Sequence, residues 1–575
     1  MKRYWKYIRP YIQYYILGPC FMMMEVVGDV LLPYMLAKII NQGIAEKNVA
    51  YIIKIGAIMG FIAVIMAVGG VLGAWFASKA AMNFGADLRM DLFEKIQQFS
   101  FQNIDNFSTG SLITRLTNDI TQIQNMIMMT LRMCLRSPGI LIGAMVMAFV
   151  ISPKLAAIFI IVLPVLAVLI VVIMRRAFPQ FRTLQEKLDA LNSCIQEGLV
   201  GIRLIKSFVR GDYEEMRFEK RNQQLKEANL TAMKTMLLYT PLMILALNIT
   251  TVVVVWSGGN MIVAGNMQVG DLTAFTNYIV QIMSSLTMLS IAFLNWARAI
   301  ASFRRVGEVL DEKIDLTDEN AKHKDRAVCE GSVEFQNVSF RYYKNSPEWV
   351  IENISFKLEA GKTLGIIGST GSGKSTLVSM IPRLYDTDEG TVLVDGINVR
   401  DYGLKPLREG IGMVLQNNTL FSGSITENLK WGDEDADEKA VRKAAQNAQA
   451  AGFIDSFKDG YRTRLEQSGN NVSGGQKQRL CIARALLKCP KILILDDSTS
   501  AVDTATERAI REALHSEYKD MTKIIIAQRI RSVMDADEIL VLDNGKTAGF
   551  GTHEQLLADC PVYREIYDVQ NGREE

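Results

Sequence analysis

No two of the seven cysteines (Cys20, Cys134, Cys194, Cys329, Cys481, Cys489 and Cys560) stand in a C-x-x-C spacing, so neither a zinc site nor a disulfide framework is expected. Net charge is nearly absent at +2, which gives no reason to expect a nucleic-acid partner. The opening M-K-R-Y-W-K-Y-I-R lacks the short apolar core and small residues of a cleavable signal. Beyond residue 305 there is no apolar run of bilayer length. What the chain does have is 49% hydrophobic residues and a mean hydropathy of +0.13 beside 22% charge, so greasy and charged segments must be segregated along it. Its 575 residues are enough for two or more domains.

A helix needs about 20 mostly apolar residues to cross a bilayer. Six stretches reach that length: Tyr14–Ile40, Ile52–Ser78, one ending near Ser152, Leu155–Met174, Met236–Met261 and Leu272–Ile300. Lys and Arg crowd between spans two and three (Lys79, Arg89, Lys95, Arg115) and between four and five (from Arg175 to Arg221), whereas I-S-P-K carries one lysine and the loop before span six none. Basic loops stay in the cytoplasm, which puts both termini there in a multi-pass plasma-membrane protein. The K-R-Y-W-K-Y-I-R start then reads as a basic, aromatic interfacial helix.

Both basic loops keep helical apolar spacing, so they read as spans continued into the cytoplasm. Reversals are expected near F-S-T-G-S-L-I-T-R-L-T-N-D-I (107–120) and V-R-G-D-Y-E-E-M-R-F-E-K (209–220). The fold class expected is multidomain: an all-α, six-helix transmembrane domain over 1–310, a polar linker over 311–330, and an α/β P-loop domain over 331–575.

The soluble half carries T-L-G-I-I, then G-S-T-G-S-G-K-S-T, then the helical L-V-S-M-I-P-R-L. A strand, a G-x-x-x-x-G-K-[ST] loop and a helix in that order are what this phosphate cradle requires. Backbone N–H groups of Gly368, Ser369, Thr370, Gly371, Ser372 and Gly373 would close around phosphate oxygens, aided by the helix N-terminus ahead of Thr376. Lys374 would reach the β- and γ-phosphates of ATP and Ser375 would ligate Mg²⁺. A second apolar strand, K-I-L-I-L-D, ends in Asp496, the carboxylate on the Mg²⁺ side.

Between them lies N-N-V-S-G-G-Q-K-Q-R (470–479). With this signature the chain resembles the ATP-binding cassette (ABC) transporter family over nearly its whole length. The resemblance implies an exporter-type half-transporter with ATP and Mg²⁺ as cofactors. It implies that Tyr342 in S-F-R-Y stacks on adenine, with neighbouring Tyr343 also open, and that Gln416 bonds Mg²⁺ and senses the membrane half. Ser500 to Asp503 would form the loop that crosses between paired nucleotide domains. In this family two such domains close head to tail, so Ser473, Gly474, Gly475 and Gln476 would face the ATP of a partner chain. The two polar reversals then resemble coupling helices.

Two positions depart from the family. The residue after the Mg²⁺-side aspartate is usually a glutamate that serves as general base; here it is Asp497, one methylene shorter. A displacement of roughly 1 Å can cost ~100-fold in rate. The strand K-I-I-I-A-Q ends in Gln528 where the family has histidine, and a carboxamide cannot titrate near neutral pH. The three histidines, His323, His515 and His553, all lie elsewhere. This pattern resembles the degenerate-site subunit of bacterial heterodimeric multidrug exporters. It implies a non-identical ABC half-transporter as partner, with hydrolysis mainly at the site that this chain's signature completes.

Ionisable groups inside spans read as functional. Glu25 and Asp29 lie one turn apart in span one, and Arg136 in span three falls at a depth similar to Glu25. The expectation is a Glu25–Arg136 ion pair with Asp29 lining a cavity; the alternative is that both carboxylates attract cationic amphiphiles. The expected activity is ATP-driven export of hydrophobic compounds. The alternatives are a lipid or peptide exporter, or a regulatory ATP-binding membrane subunit that transports nothing itself.

Overall fold

The structure is a computed structural model that describes residues 2–344, 346–498 and 500–570, leaving the side chains at 2, 239, 290, 291, 293–295, 297 and 298 outside the description. The chain divides into two compact units: Met1–Ile96 with Gly110–Asp311, and Gln97–Thr109 with Glu312–Glu575.

The first unit is helical throughout. Among the described residues five helices are long and apolar enough to cross a membrane: Trp5–Ile44, Val49–Gln97, Thr109–Ile151, Pro153–Val200 and Gly211–Val263. The sixth expected span lies in helix Val269–Asp311, where several side chains of 290–298 fall outside the described residues. Small residues let the helices approach closely, with Ala77, Ala80, Ala81, Ala144 and Ala148 all fully buried. Phe159, Phe275, Tyr278 and Ile279 fill the core between them. The opening segment is a run of short helices (Lys2–Tyr4, Trp5–Ile8, Arg9–Tyr11), anchored by Tyr7, which is 3% exposed and packs edge-on against Phe84.

Both chain reversals fall earlier than expected. The first spans 98–108, between helices ending at Gln97 and restarting at Thr109, with Phe101–Asp105 between them. Its signal is a capping box in which Ser100 and Asn103 satisfy each other's backbone N–H. The polar stretch from 109 onward is helix, including a π-turn at Arg115–Asp119. The second reversal lies at 201–210, marked by Gly201 and by Val209 at φ +53°, while the charged stretch from Gly211 is helix. In both places a polar stretch is helix where a turn is expected. Asp119 is 2% exposed and accepts from Ser302 Oγ at 2.8 Å and from Arg305 Nε at 2.8 Å, a buried carboxylate paired with a half-exposed arginine that the sequence pattern does not disclose.

The second unit is built on a six-stranded sheet in the order Lys546–Gly551, Glu538–Asp543, Thr363–Gly368, Thr522–Ile526, Ile492–Asp496, Ile411–Val414, parallel except at the first pair. The central strands are apolar without alternation because both faces are covered. A four-stranded antiparallel sheet, Ile351–Leu358, Val333–Phe340, Glu389–Val394 and Ile397–Asn398, packs beside it. Residues from Glu312 to 330 lie along this unit: Leu316 and Val328 are buried, Asp318 caps Leu404 N at 3.0 Å, and His323 N donates to Asp401 O at 2.7 Å.

Candidate functional site

The register places three strand ends side by side, with Ile526 opposite both Asp496 and Ile366. Loops leaving those C-terminal ends converge on a cavity of about 310 Å³ lined by Thr370, Lys374, Ser375, Gln416, Asp496, Asp497 and Gln528, among others. Such strand-end crevices are where open α/β sheets hold ligands. Gly373 caps the helix Lys374–Ser379 at φ +89°, and a Cβ there would stand 2.6 Å from Ile351 Cγ2 and 2.9 Å from Val350 O. Only glycine fits that conformation at that approach.

Lys374 Nζ folds back on the loop, donating to Gly368 O at 2.9 Å and Ser369 O at 2.7 Å. Burial pushes its pKa below the ordinary lysine value, against the pull of Asp497 and Asp496. Ser375 Oγ donates to Asp496 Oδ1 at 2.9 Å, and Gln416 lines the same cavity, so three oxygen donors of the kind hard cations prefer are gathered there. Tyr342 O–H and Thr376 Oγ1 share a hydrogen bond of 2.9 Å, which ties that ring to the helix following the loop. Tyr343 is 76% exposed.

Asp497 and Gln528 are in direct contact: Gln528 Nε2 donates to Asp497 Oδ2 at 2.8 Å. The aspartate sits at φ +47° and its N–H donates to Ile526 O at 3.1 Å, so the backbone is pinned in a left-handed turn. Burial raises the pKa of both carboxyls above the ordinary range; Gln528 and Lys374 oppose the shift at Asp497, whereas at Asp496 the neighbouring Asp497 adds to it.

The signature residues lie elsewhere on the unit, and none of Ser473, Gly474, Gly475 or Gln476 lines this cavity. Ser473 caps helix Gly474–Leu487 through a capping box with Gln476, and a Cβ on Gly475 would stand 2.8 Å from Ala501 O. Gln478, which sequence reasoning passed over, fastens the two: its Oε1 accepts from Ala501 N at 3.0 Å and its Nε2 donates to Ser500 Oγ at 3.4 Å. Asp503 caps the next helix, Thr504–Glu517. A second missed residue is Tyr385, whose O–H donates to Asp105 at 2.9 Å while its ring meets Tyr342 edge-on at 5.3 Å. It joins segment 97–109 to the tyrosine beside the phosphate loop.

In the first unit Arg136 NH2 reaches both carboxylates, Glu25 Oε1 at 2.8 Å and Asp29 Oδ2 at 3.3 Å. The sequence reading gave this arginine to Glu25 alone; the structure shares it with Asp29 because the acids are four residues apart on one helical face.

Comparison with known proteins places both halves. Residues 15–286 match the ABC transporter transmembrane region, and residues 351–500 match the ABC transporter family model. The chain belongs to the ABC transporter family. It is 39% identical over 574 residues to the uncharacterised ABC transporter ATP-binding protein YfiB of Bacillus subtilis, covering 100% of this chain and 99% of that one. It is 34% identical over 584 residues to YgaD of the same organism, covering 99% of each, a protein named provisionally as a multidrug export ATP-binding/permease protein. A solved bacterial Atm1-family ABC exporter with ATP bound has the same fold, with a TM-score of 0.81 at 24% identity over 98% of both chains. This ABC protein thus has the fold of an exporter-type half-transporter, a multi-pass membrane protein with a fused ATPase-type domain.

Proposed function

We propose that the chain is one half of a heterodimeric exporter that moves hydrophobic or amphipathic compounds out through the plasma membrane at the expense of ATP. Its own P-loop site would bind Mg²⁺–ATP and hydrolyse it poorly. Ser375, Gln416 and Asp496 would hold the ion, Lys374 the phosphates, and Tyr342 the adenine. Its signature, Ser473 to Gln476, would complete the working site of a non-identical half-transporter, with the Ser500–Asp503 loop crossing between them. Both termini and the nucleotide domain would face the cytoplasm.

The observation that carries the reading is the contact between Gln528 and Asp497 at 2.8 Å. Two positions that in this family serve proton transfer are filled by a short carboxylate and an amide that donates to it. The amide cannot titrate near neutral pH, and the carboxylate is one methylene short and held by that amide, so the pair supports holding the nucleotide over cleaving it. The need for a partner is supported by the separation of the signature from the chain's own cavity, and by an exposed apolar tip at Val200, Phe208, Val209 and Met216. Within the membrane unit we assign Asp29, the more loosely bound carboxylate, to the substrate cavity. ATP turnover by the purified chain, measured beside a co-expressed pair, tests the proposal. Brisk hydrolysis by the single chain overturns it.

A further inference from the structure

The sheet of the second unit carries another concavity at the opposite ends of its strands. Strands Thr363–Gly368 and Thr522–Ile526 pair in parallel with Lys523 opposite Thr363. At about 3.3 Å per residue, those first residues lie roughly 15 Å from the strand ends that line the nucleotide cavity. Two cavities of about 550 and 610 Å³ adjoin there and share Thr363, His515 and Lys523. Seven Lys and Arg side chains against five Asp and Glu line the two together, so the cleft is net positive.

Lys523 is the decisive residue. It is 4% exposed, yet among the described residues its ammonium makes one hydrogen bond, to Met521 O at 2.8 Å, and no ion pair. The carboxylates near it are Asp520 and Asp537, and Asp537 is already engaged by Lys362 Nζ at 2.9 Å and Thr363 N at 2.8 Å. Burial accordingly pushes the Lys523 pKa below its ordinary value. Arg511 adds a second unmet donor: NH1 bonds Arg531 O at 2.6 Å and Asp535 at 3.3 Å, but its buried Nε has no hydrogen-bond partner. A buried cation without a counter-charge is costly, and donors left unmet inside a cavity point to an absent acceptor.

We propose that this cleft is a second anion site, separate from the P-loop, that takes a small phosphate-bearing metabolite. Lys523 supplies the buried counter-charge at its floor. Arg508 and Arg511, on one wall, supply planar guanidinium forks suited to tetrahedral phosphate oxygens. That wall is helix Thr504–Glu517, which begins directly after Asp503, and the facing wall runs through Arg531 to Ala536, just beyond Gln528. An occupant therefore bears on both segments that leave the catalytic pocket.

The test is calorimetric titration of inorganic pyrophosphate, without divalent cations, into the full-length chain carrying Lys374→Ala to silence the P-loop. One saturable site per chain is expected. Adding Lys523→Met should weaken it roughly tenfold or more, the weight of a charge-assisted hydrogen bond. Arg508→Gln, on an exposed side chain whose partner is Glu512 at 2.9 Å on the same helix, should weaken it severalfold. Citrate should bind far more weakly than pyrophosphate. Absence of saturable binding, equal affinity in both substituted chains, or equal binding of citrate would each overturn the proposal.

Discussion

On the proposed reading, restoring the two family residues beside Asp496 should raise ATP turnover by this chain alone. The perturbation is Asp497→Glu with Gln528→His. The first returns the missing methylene, moving the carboxylate oxygens by roughly 1 Å, a distance that can be worth ~100-fold in rate. The second replaces an amide that donates to Asp497 Oδ2 at 2.8 Å with an imidazole that can share a proton, and positioned acid–base groups contribute about 10²–10⁴-fold. Because the two side chains touch, their effects should couple rather than add. Glutamate alone would still be gripped by Gln528, and histidine alone would face a carboxylate too short to aim a water. Each single change should therefore give less than about tenfold, and the double change on the order of 100-fold. One cost opposes the gain. Position 497 sits at φ +47°, which aspartate tolerates better than glutamate, at about 1 kcal/mol. The assay is phosphate release by the purified chain in lipid nanodiscs under single turnover, with nucleotide affinity measured separately. A double variant that binds ATP normally yet turns over no faster than the unaltered chain would refute the reasoning.

Burial raises the Asp496 and Asp497 pKa values, so these groups stabilise the nucleotide-free fold most at low pH, and that contribution is lost as pH rises through the raised values. The thermal stabilisation given by Mg²⁺–ATP, which needs the ionised form, should fade on acidification, and Asp496→Asn should flatten that dependence; an unchanged profile would contradict it. Gln478→Ala leaves Ala501 N without its acceptor, at about 1–3 kcal/mol, and should lower turnover of the co-expressed pair roughly tenfold without changing ATP affinity. Arg136→Met strands two carboxylates inside the helices and should destabilise by about 3 kcal/mol, read as a fall in Tm, while Glu25→Gln leaves Asp29 as partner and should cost about 1 kcal/mol. Tyr385→Phe removes the bond to Asp105 and should abolish substrate stimulation of turnover while sparing the basal rate.

The split between what the sequence discloses and what it hides follows the range of the interactions. The candidate phosphate loop is legible because its elements are contiguous: strand, glycines, Lys374 and Ser375 follow one another within a dozen residues, and the turn at Gly373 admits only glycine. The spans are legible because composition alone decides whether a helix can sit in lipid. The reversals at 98–108 and 201–210 differ from the expected positions because polar helix and polar turn share a composition; the Ser100–Asn103 capping box marks the first break, and Gly201 with Val209 at φ +53° the second. Gln478 and Tyr385 were invisible for a different reason. Each bonds to a residue far along the chain, Ala501 and Asp105, and neither stands in a pattern that singles out its type. Asp119 combines both difficulties, a carboxylate in a polar stretch whose partners, Ser302 and Arg305, lie more than 180 residues away. The residues of the candidate nucleotide site are thus written locally. The contacts around them, from Tyr342 through Tyr385 to Asp105 and from the signature helix through Gln478 to Ser500 and Ala501, exist only once the chain has folded. That is why a candidate site can be read from a motif, while the long-range contacts beside it have to be read from the structure.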